Sequence, residues 1–344
     1  MSQASWKLDA TTAAEALRLL AKARLVLMPM HQNVDADGLS SPLAVMHALR
    51  QQGVHAVPII SDGVFPANLS FLPGIEDVLL YGQDELPDYD VLCLVDCADR
   101  KRLGMFYADD PDRVNGKIPI INIDHHVTND RFGAVNIVED GAASASEVVT
   151  DILAAWGTEL TAEIAQCLLA GIYGDTLGLR TESTTSRTMR TAADLVDAGA
   201  NPAPIVDALF RLKPKSSVCL WERGLQKVEW TGSVIWTELT TQEFDACGAA
   251  PVEAEGMVNF LVGTEGSRAA AILYANDRGW RVSMRTMFPD VDVSAIAAQF
   301  GGGGHPRAAG CTIDGEEPAK VAFLERFAEL AGSATFDEPL PSTT

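Results

Sequence analysis

The sequence predicts an α/β protein: an N-terminal, doubly wound, mostly parallel sheet domain, a smaller C-terminal α/β domain, and a cleft between them. Three observations predict it. Short continuous apolar runs alternate with helical patterns through the first half, as strands buried on both faces do. Acid and imidazole side chains recur just past the ends of those runs, and sites form beyond the carboxyl ends of strands in such sheets. From about residue 230 the composition changes and a second set of strand-like runs begins.

The first residues, MSQASWKLDATTAAEALRLL, carry acids in an amphipathic helical pattern and lack the basic start and apolar core of a signal peptide. LVLMPM (25–30) predicts a strand and SPLAVMHALRQQG (41–53) a helix closed by Gly53. HAVPII (55–60), DVLLYG (77–82), VLCLVD (91–96) and IPIINID (118–124) predict further strands. From Ser144 to about Phe210 the pattern is helical, through SASEVVTDILAAWG, TAEIAQCLLAGIYGD, SRTMRTAADLVDAGA and APIVDALF. The basic, proline-containing RLKPKSS (211–217) marks a linker or its first helix. Beyond it, SVIWTELT, SRAAAILYA and WRVSMRT predict strands, interleaved with helices at PVEAEGMVNFLVG, DVSAIAAQF and EPAKVAFLERFAELAG. The expected division is a first domain over 1–205, a linker over 206–228, a second domain over 229–332 and a disordered tail over 333–344.

A chain of 344 residues, 47% hydrophobic and 21% charged, has the size for two ordinary domains and the composition of a globular protein with a real core. No apolar stretch approaches the roughly 20 residues of a membrane span, so the expectation is a cytoplasmic protein with no membrane partner. A formal net charge of −21 argues against long duplex nucleic acid, whose binding needs a basic face. A small anionic substrate is compatible with that charge where local cations or metals reverse the field. The six cysteines, Cys93, Cys97, Cys167, Cys219, Cys247 and Cys311, show no zinc-site spacing and are expected to be reduced and buried.

Five stretches carry chemistry. In HQNVDADGLSS, His31, Asp35 and Asp37 leave a strand in a loop that Gly38 lets turn. Asp35 and Asp37, two apart, can face two different ions, although the same residues also suit a turn or a helix N-cap. In VDCADRKRLG, Asp96 at a strand end has two oxygens and can bridge two cations, or else form a simple Asx-turn. In IDHHVTND, adjacent His125 and His126 point opposite ways in an extended segment, one to a metal and one to substrate, with Asp124 orienting an imidazole behind them. The alternative, a surface histidine pair, is at odds with the apolar run before it. In GIYGDTLGLRTESTT, Asp175 closes an element and adds a carboxylate. Arg180, Ser183, Thr184 and Thr185 offer substrate contacts or merely cap the next helix. In FGGGGHPRAAG, glycines bring backbone N–H groups close to an anion beside His305 and Arg307, although the composition also suits a flexible linker. Nearby, Ser283 and Arg285 alternate on a strand and so share a face. Four of the six histidines fall in these stretches; His47 and His55 have structural settings.

Taken in order, H-x3-D-x-D, D, DHH, D and GGGGH resemble the DHH phosphoesterase family with its DHH-associated C-terminal domain, over nearly the whole chain. Within it the chain is most similar to the free-standing nano-RNase and pAp phosphatase branch, which also contains cyclic-di-AMP phosphodiesterases. The resemblance implies that His31 and Asp35 hold one metal, that Asp37, His125 and Asp175 hold the other, and that Asp96 bridges both. It places His126 beside the reacting phosphate. It assigns Arg285, the glycines 301–304 (Gly302, Gly303 and Gly304 among them) and His305 to the substrate's phosphate or nucleotide, and Ser283 and Arg307, read from their own placement, join the expected substrate-binding set. Two Mn²⁺ ions are implied, with Mg²⁺ or Co²⁺ as substitutes, and mixed carboxylate and imidazole donors suit Mn²⁺ independently. The family often dimerises, so a homodimer is expected. This chain departs from the pattern at Val34, Ser40, Leu177, Leu179 and Ala275. No ligand is lost, and the departures bear on substrate preference.

The expected activity is two-metal hydrolysis of short oligoribonucleotides or 3′-phosphoadenosine 5′-phosphate. The alternatives are a cyclic-di-AMP or linear dinucleotide phosphodiesterase, a pyrophosphatase or exopolyphosphatase, and, from another class, a non-catalytic nucleotide-binding module.

Overall fold

Apolar runs too short for helices and too continuous for a half-exposed sheet build the centre of the first unit. The computed structural model describes residues 6–254, 256–276, 279–315 and 317–332. It divides into two compact units, Met1–Leu212 and Lys213–Thr344. In the first, the elements run α1 (Ala10–Leu20), β1 (Val26–Met30), α2 (Ala36–Gln51), β2 (Ala56–Ile60), β3 (Leu79–Leu80), β4 (Val91–Val95), α3 (Gly104–Asp109), β5 (Ile120–Asp124), β6 (Val135–Val138), α4 (Ala145–Ala155), α5 (Ala162–Asp175), α6 (Ser186–Asp197) and α7 (Pro202–Val206). The sheet has the order β3-β2-β1-β4-β5-β6, every pair parallel.

Strands β1, β4 and β5 are buried at every residue because helices cover both faces. Val26, Met28 and Met30 pack with Leu39, Leu43, Val148, Ile152 and Leu168 on one side. Leu27, Leu92 and Leu94 pack with Leu103, Phe106 and Val114 on the other. The order reverses between β1 and β4, so the chain leaves these neighbouring strands in opposite directions and a crevice opens beyond their carboxyl ends.

The second unit runs α8 (Lys215–Gln226), β7 (Glu229–Thr231), β8 (Val234–Leu239), α9 (Thr241–Cys247), α10 (Met257–Val262), β9 (Ala269–Asn276), β10 (Gly279–Thr286), α11 (Val293–Gln299), β11 (Gly303–His305), β12 (Ala308–Asp314) and α12 (Glu317–Ala331). Its sheet has the order β11-β12-β10-β9-β8-β7. Among the described strands of this sheet, only β8 and β9 pair in parallel. One face packs on Val293, Ile296, Phe323 and Phe327. Ile235, Ala270 and Ile272 on the other pack on Leu220, Phe244, Met257 and Leu261.

Several expectations change. Helix α2 starts at Ala36, five residues before the predicted 41, because Asp35 caps it by accepting the Gly38 N–H at 2.9 Å. Asp37 is therefore a helical residue rather than a loop residue. The glycine run is partly a strand: β11 pairs with β12 through Gly303 and Gly310, a pairing that residues without side chains cannot announce by hydrophobic pattern. The stretch expected as a linker, 206–228, contains a π-helical turn at Asp207–Arg211 and the whole of α8, with the division between units falling after Leu212. Cys219 on α8 and Cys247 on α9 form a disulfide, which corrects the expectation of six reduced thiols. That pair comes together only through packing of α8 on α9. The remaining four cysteines are free and buried. The tail expected to be disordered, 333–344, lies outside the described residues. No helix among the described residues is long and apolar enough to cross a membrane.

Candidate metal centre

His31 is the first residue past β1 and is almost wholly buried. Its Nδ1 donates to the Gln32 carbonyl at 2.9 Å, which leaves Nε2 facing inward. That nitrogen lies 3.8 Å from Asp35 Oδ1 and 3.4 Å from Asp96 Oδ2, with no hydrogen-bond partner. Burial, the largest influence, pulls the pKa of the imidazole down, and the Asp35 and Asp96 carboxylates outweigh it and raise the value to about 10. Gly38 is required here, because a Cβ on it would lie 2.3 Å from His31 Nε2.

Asp96 is the first residue past β4 and adopts a left-handed backbone, φ +60°. Aspartate tolerates that region better than most residues. Its N–H donates to the Ile123 carbonyl at 2.9 Å, which fixes it between β4 and β5. The two carboxylate oxygens diverge: Oδ2 faces His31, whereas Oδ1 lies 3.5 Å from His125 Nε2 and 3.5 Å from His126 Nδ1. Oδ1 is buried and without a hydrogen-bond partner. Burial works to raise the Asp96 pKa, and the imidazoles of His125 and His31 overcome it and hold the acid below its ordinary range.

The Asp124-His125-His126 triplet divides its labour. Asp124 is fully buried. Its Oδ1 accepts the His125 N–H at 2.7 Å and the His126 Nδ1–H at 2.8 Å, and its Oδ2 accepts Asn129 Nδ2 at 2.5 Å. Asn129 also donates to Asn122 Oδ1 at 2.8 Å. His126 is thus locked by its Nδ1, with 29% of its side chain open to solvent. His125 turns the other way. Its Nδ1 donates to the Ala142 carbonyl at 3.4 Å, and its Nε2 lies 3.1 Å from Asp175 Oδ2. Burial opposes charge on His125, yet the Asp175 and Asp96 carboxylates push its pKa up to about 12.

Asp37 and Asp175 complete the far side. Asp37, in the first turn of α2, is fully buried and accepts the Ala145 N–H at 2.6 Å, the Ser146 N–H at 3.0 Å and the Ser146 hydroxyl. Burial, then the charges of Asp175 and Asp96, raise its pKa well above the carboxylate range. Asp175 is the last residue of α5, and burial raises its pKa to about 6.

Three sets of ligand atoms each lie within 4.8 Å of one another: His31, Asp35 and Asp96; Asp37, His125 and Asp175; and Asp96, Asp124, His125 and His126. All six residues that the sequence assigned to metals are therefore brought together. The third set shows Asp124 and His126 adjoining the same centre. The donors fit a divalent cation: nitrogen and carboxylate oxygen only, with two buried donor atoms, His31 Nε2 and Asp96 Oδ1, lacking any partner.

The residues expected to bind substrate lie in the second unit. Across the sheet, Ser283 aligns with Gly310 and Gly303, and Arg285 with Ala308 and His305. Ser283, Arg285, Gly303 and His305 thus share one face. Arg285 Nη1 donates to the Met284 carbonyl at 2.9 Å and approaches Ser283 Oγ at 3.5 Å. A Cβ on Gly302 would meet the Gly310 carbonyl at 2.2 Å, and one on Gly304 the Ala308 carbonyl at 2.5 Å, so both glycines are needed for the β11–β12 approach. Arg307, in the turn between those strands, has a buried Nη1 with no partner. Arg180 stacks over Phe210, and its Nε donates to the Leu177 carbonyl at 2.6 Å.

Sequence reasoning missed Ser146, Asn122, Asn129 and Gly171. Asn129 had a local signal, three residues past His126 in a stretch already singled out. Ser146 had none, because its partner is 109 residues away. A Cβ on Gly171 would lie 2.3 Å from Asp37 Oδ1, a requirement invisible along the chain.

Comparison with known proteins bears on this geometry. Residues 25–172 match the DHH family, N-terminal domain, and residues 241–333 match the DHHA1 domain. The bifunctional oligoribonuclease and PAP phosphatase NrnA of Thermus thermophilus is 32% identical over 296 residues, 84% of each chain. The protein of the same name from Bacillus subtilis is 25% identical over 305 residues, 87% of this chain and 92% of that one. Among solved structures, an exopolyphosphatase-related protein from Bacteroides fragilis has the same fold, with a TM-score of 0.84 at 22% identity, over 94% of this chain and 97% of that one.

Proposed function

This chain belongs to the DHH family and is a hydrolase acting on phosphoester bonds, and from that premise we propose a manganese-dependent two-metal enzyme that hydrolyses short oligoribonucleotides and 3′-phosphoadenosine 5′-phosphate. In this reading His31 and Asp35 would hold one ion, Asp37, His125 and Asp175 would hold the other, and Asp96 would contribute to both. One observation carries it: the two oxygens of Asp96 diverge, each toward a different histidine, 3.4 Å to His31 and 3.5 Å to His125. Imidazole with carboxylate suits Mn²⁺, with Mg²⁺ or Co²⁺ able to substitute. The substrates are inferred from the two relatives named as oligoribonuclease and PAP phosphatase.

A divalent pair, when bound, supplies a water of lowered pKa and neutralises charge on the phosphoryl oxygens. The chain's own groups do the rest. Asp124 holds His126 by Nδ1, so Nε2 is the atom left to donate a proton to the leaving oxygen or to stabilise its charge. The carbonyls of Gln32 and Ala142 hold His31 and His125 by Nδ1 and aim each Nε2 at the carboxylates. Ser283, Arg285, Gly302, Gly303, Gly304, His305 and Arg307 supply donors for the phosphate or nucleotide.

The test is a product assay with Mn²⁺ on four substrates in parallel: a short RNA, 3′-phosphoadenosine 5′-phosphate, cyclic-di-AMP and pyrophosphate. The expected result is turnover of the first two. Dominant turnover of either of the others would replace the substrate assignment. Asp96→Asn should lower turnover at saturating metal by more than about 100-fold, since even outer partners of a ligand cost 10–100-fold. Near-wild-type turnover in that variant would end the two-metal reading.

A further inference from the structure

The donors on Asp37 come from one place, the first turn of α4. Ser144 caps this 11-residue helix by accepting the Glu147 N–H at 3.1 Å. The amides of Ala145 and Ser146, at the first two helical positions, have no partner within the helix. Both donate instead to Asp37, 108 and 109 residues away: Ala145 to Oδ2 at 2.6 Å and Ser146 to Oδ1 at 3.0 Å. The Ser146 hydroxyl adds a third donor, to the same Oδ1. Room for this comes from α5, where a Cβ on Gly171 would lie 2.1 Å from Ser146 Oγ and 2.3 Å from Asp37 Oδ1. Three helices therefore converge on one fully buried carboxylate.

That convergence needs a reason. A carboxylate buried beside two others, Asp96 and Asp175, is unfavourable unless donors and the positive end of a helix offset it. A structural role alone would be served as well by an apolar residue. The clamp instead leaves Asp37 facing His125 and Asp175, whose ligand atoms lie within 4.8 Å of its own.

We propose that Ser146 is a positioning residue of the metal centre: with the Ala145 amide it fixes the Asp37 carboxylate toward His125 and Asp175 before any ion arrives. The inference rests on the metal assignment made under Proposed function. An Asp37 already in place loses little freedom on ligating, whereas one released from Ser146 must be ordered by the ion.

Two substitutions test it. Ser146→Ala removes the hydroxyl and keeps both amides. Ala145→Pro removes the other amide at the first helical position, where proline is favoured, and the extended Ser144 before it is compatible. Metal-stripped protein is titrated with Mn²⁺ by calorimetry, with far-UV circular dichroism recording the fold. Wild type is expected to take up two ions. Each variant is expected to keep its helix content and to bind one ion about ten-fold more weakly, with the other unchanged. Wild-type affinity for both ions in a folded Ser146→Ala protein overturns the inference alone. So does equal weakening at both sites, the mark of a general loosening. If Ser146→Ala fails to fold, the same comparison on Ala145→Pro decides. If wild type itself takes up no metal, the metal assignment falls and this inference with it.

Discussion

His126 shows how much one residue's role depends on its neighbours. Asp124 takes its Nδ1–H at 2.8 Å, and Asn129 holds the other oxygen of Asp124 at 2.5 Å, so the imidazole cannot turn without breaking a buried chain of bonds. Under the proposed reading such a group would act on substrate and add little to metal retention. His126→Gln should lower kcat by about 10²-fold or more, the range of a general acid, while Mn²⁺ affinity measured by calorimetry stays within a few-fold of wild type. A loss of metal with an unchanged kcat at saturation would instead make His126 a ligand. The residue types around it were legible in the sequence, since IDHHVTND places acid, imidazole and amide together. Which nitrogen faces which oxygen was not, because ring orientation is set by carbonyls and carboxylates that belong to other elements.

At the scale of elements, the site exists because α5 packs closely on α2 and α4. Gly171 and Gly174 lie on that contact; a Cβ on Gly174 would sit 2.6 Å from the Ala36 Cβ. Gly171→Ala would push a methyl against Ser146 Oγ and Asp37 Oδ1, which are held by hydrogen bonds and cannot step aside. It should cost about 1–3 kcal/mol of stability by denaturant unfolding and weaken Mn²⁺ binding as well. A Gly171→Ala variant as stable as wild type, with unchanged affinity, would show that α5 shifts freely. Past Asp175 the chain runs through three left-handed residues, Leu177, Gly178 and Leu179, at φ +50°, +75° and +65°. Leucine is disfavoured there, by about 1–2 kcal/mol per residue. That the sequence departs from the family pattern at Leu177 and Leu179 was visible; that they turn left-handed was not. Elements with strong periodicity, such as β1, β4, β5, α4 and α5, were predictable, whereas β6, β7, β11 and β12 were missed. β6, β7 and β11 are short or glycine-rich, and their pairing comes from neighbours rather than from their own side chains; β12 does alternate, turning Ala309, Cys311 and Ile313 inward, but small residues and Gly310 blunt the signal.

For the whole molecule, the acid excess and the metal centre are linked. The centre gathers Asp35, Asp37, Asp96, Asp124 and Asp175 around three histidines, and the carboxylates raise His31 to about 10 and His125 to about 12. An imidazole must be neutral to ligate, so metal uptake displaces protons. The sign follows directly. A histidine whose folded value stands above its ordinary 6.5 favours the fold fully below that value, and the contribution fades as pH rises toward 10 for His31. Metal binding has the opposite dependence and strengthens with pH. Mn²⁺ at about 100 times its Kd should add about 2.7 kcal/mol of stability per site, a rise of several degrees in melting temperature. That increment should shrink as pH is lowered, and a chelator should remove it. An increment independent of pH between about 6 and 9 would mean that the histidines are not ligands.

The sequence alone determined the α/β class and the alternation of strand and helix that puts acids and imidazoles at strand ends, and its resemblance to the DHH family singled out His31, Asp35, Asp37, Asp96, His125 and Asp175 as the candidate ligands. The class and the alternation follow from residue type and local period, which act over a few positions. Only the tertiary structure decided that Asp96 turns one oxygen to each of two histidines, that α4 donates three hydrogen bonds to Asp37 from more than a hundred residues away, and that Cys219 meets Cys247. Those contacts depend on how α2, α4 and α5, or α8 and α9, pack, and packing is fixed by the fit of whole surfaces, which no local pattern encodes.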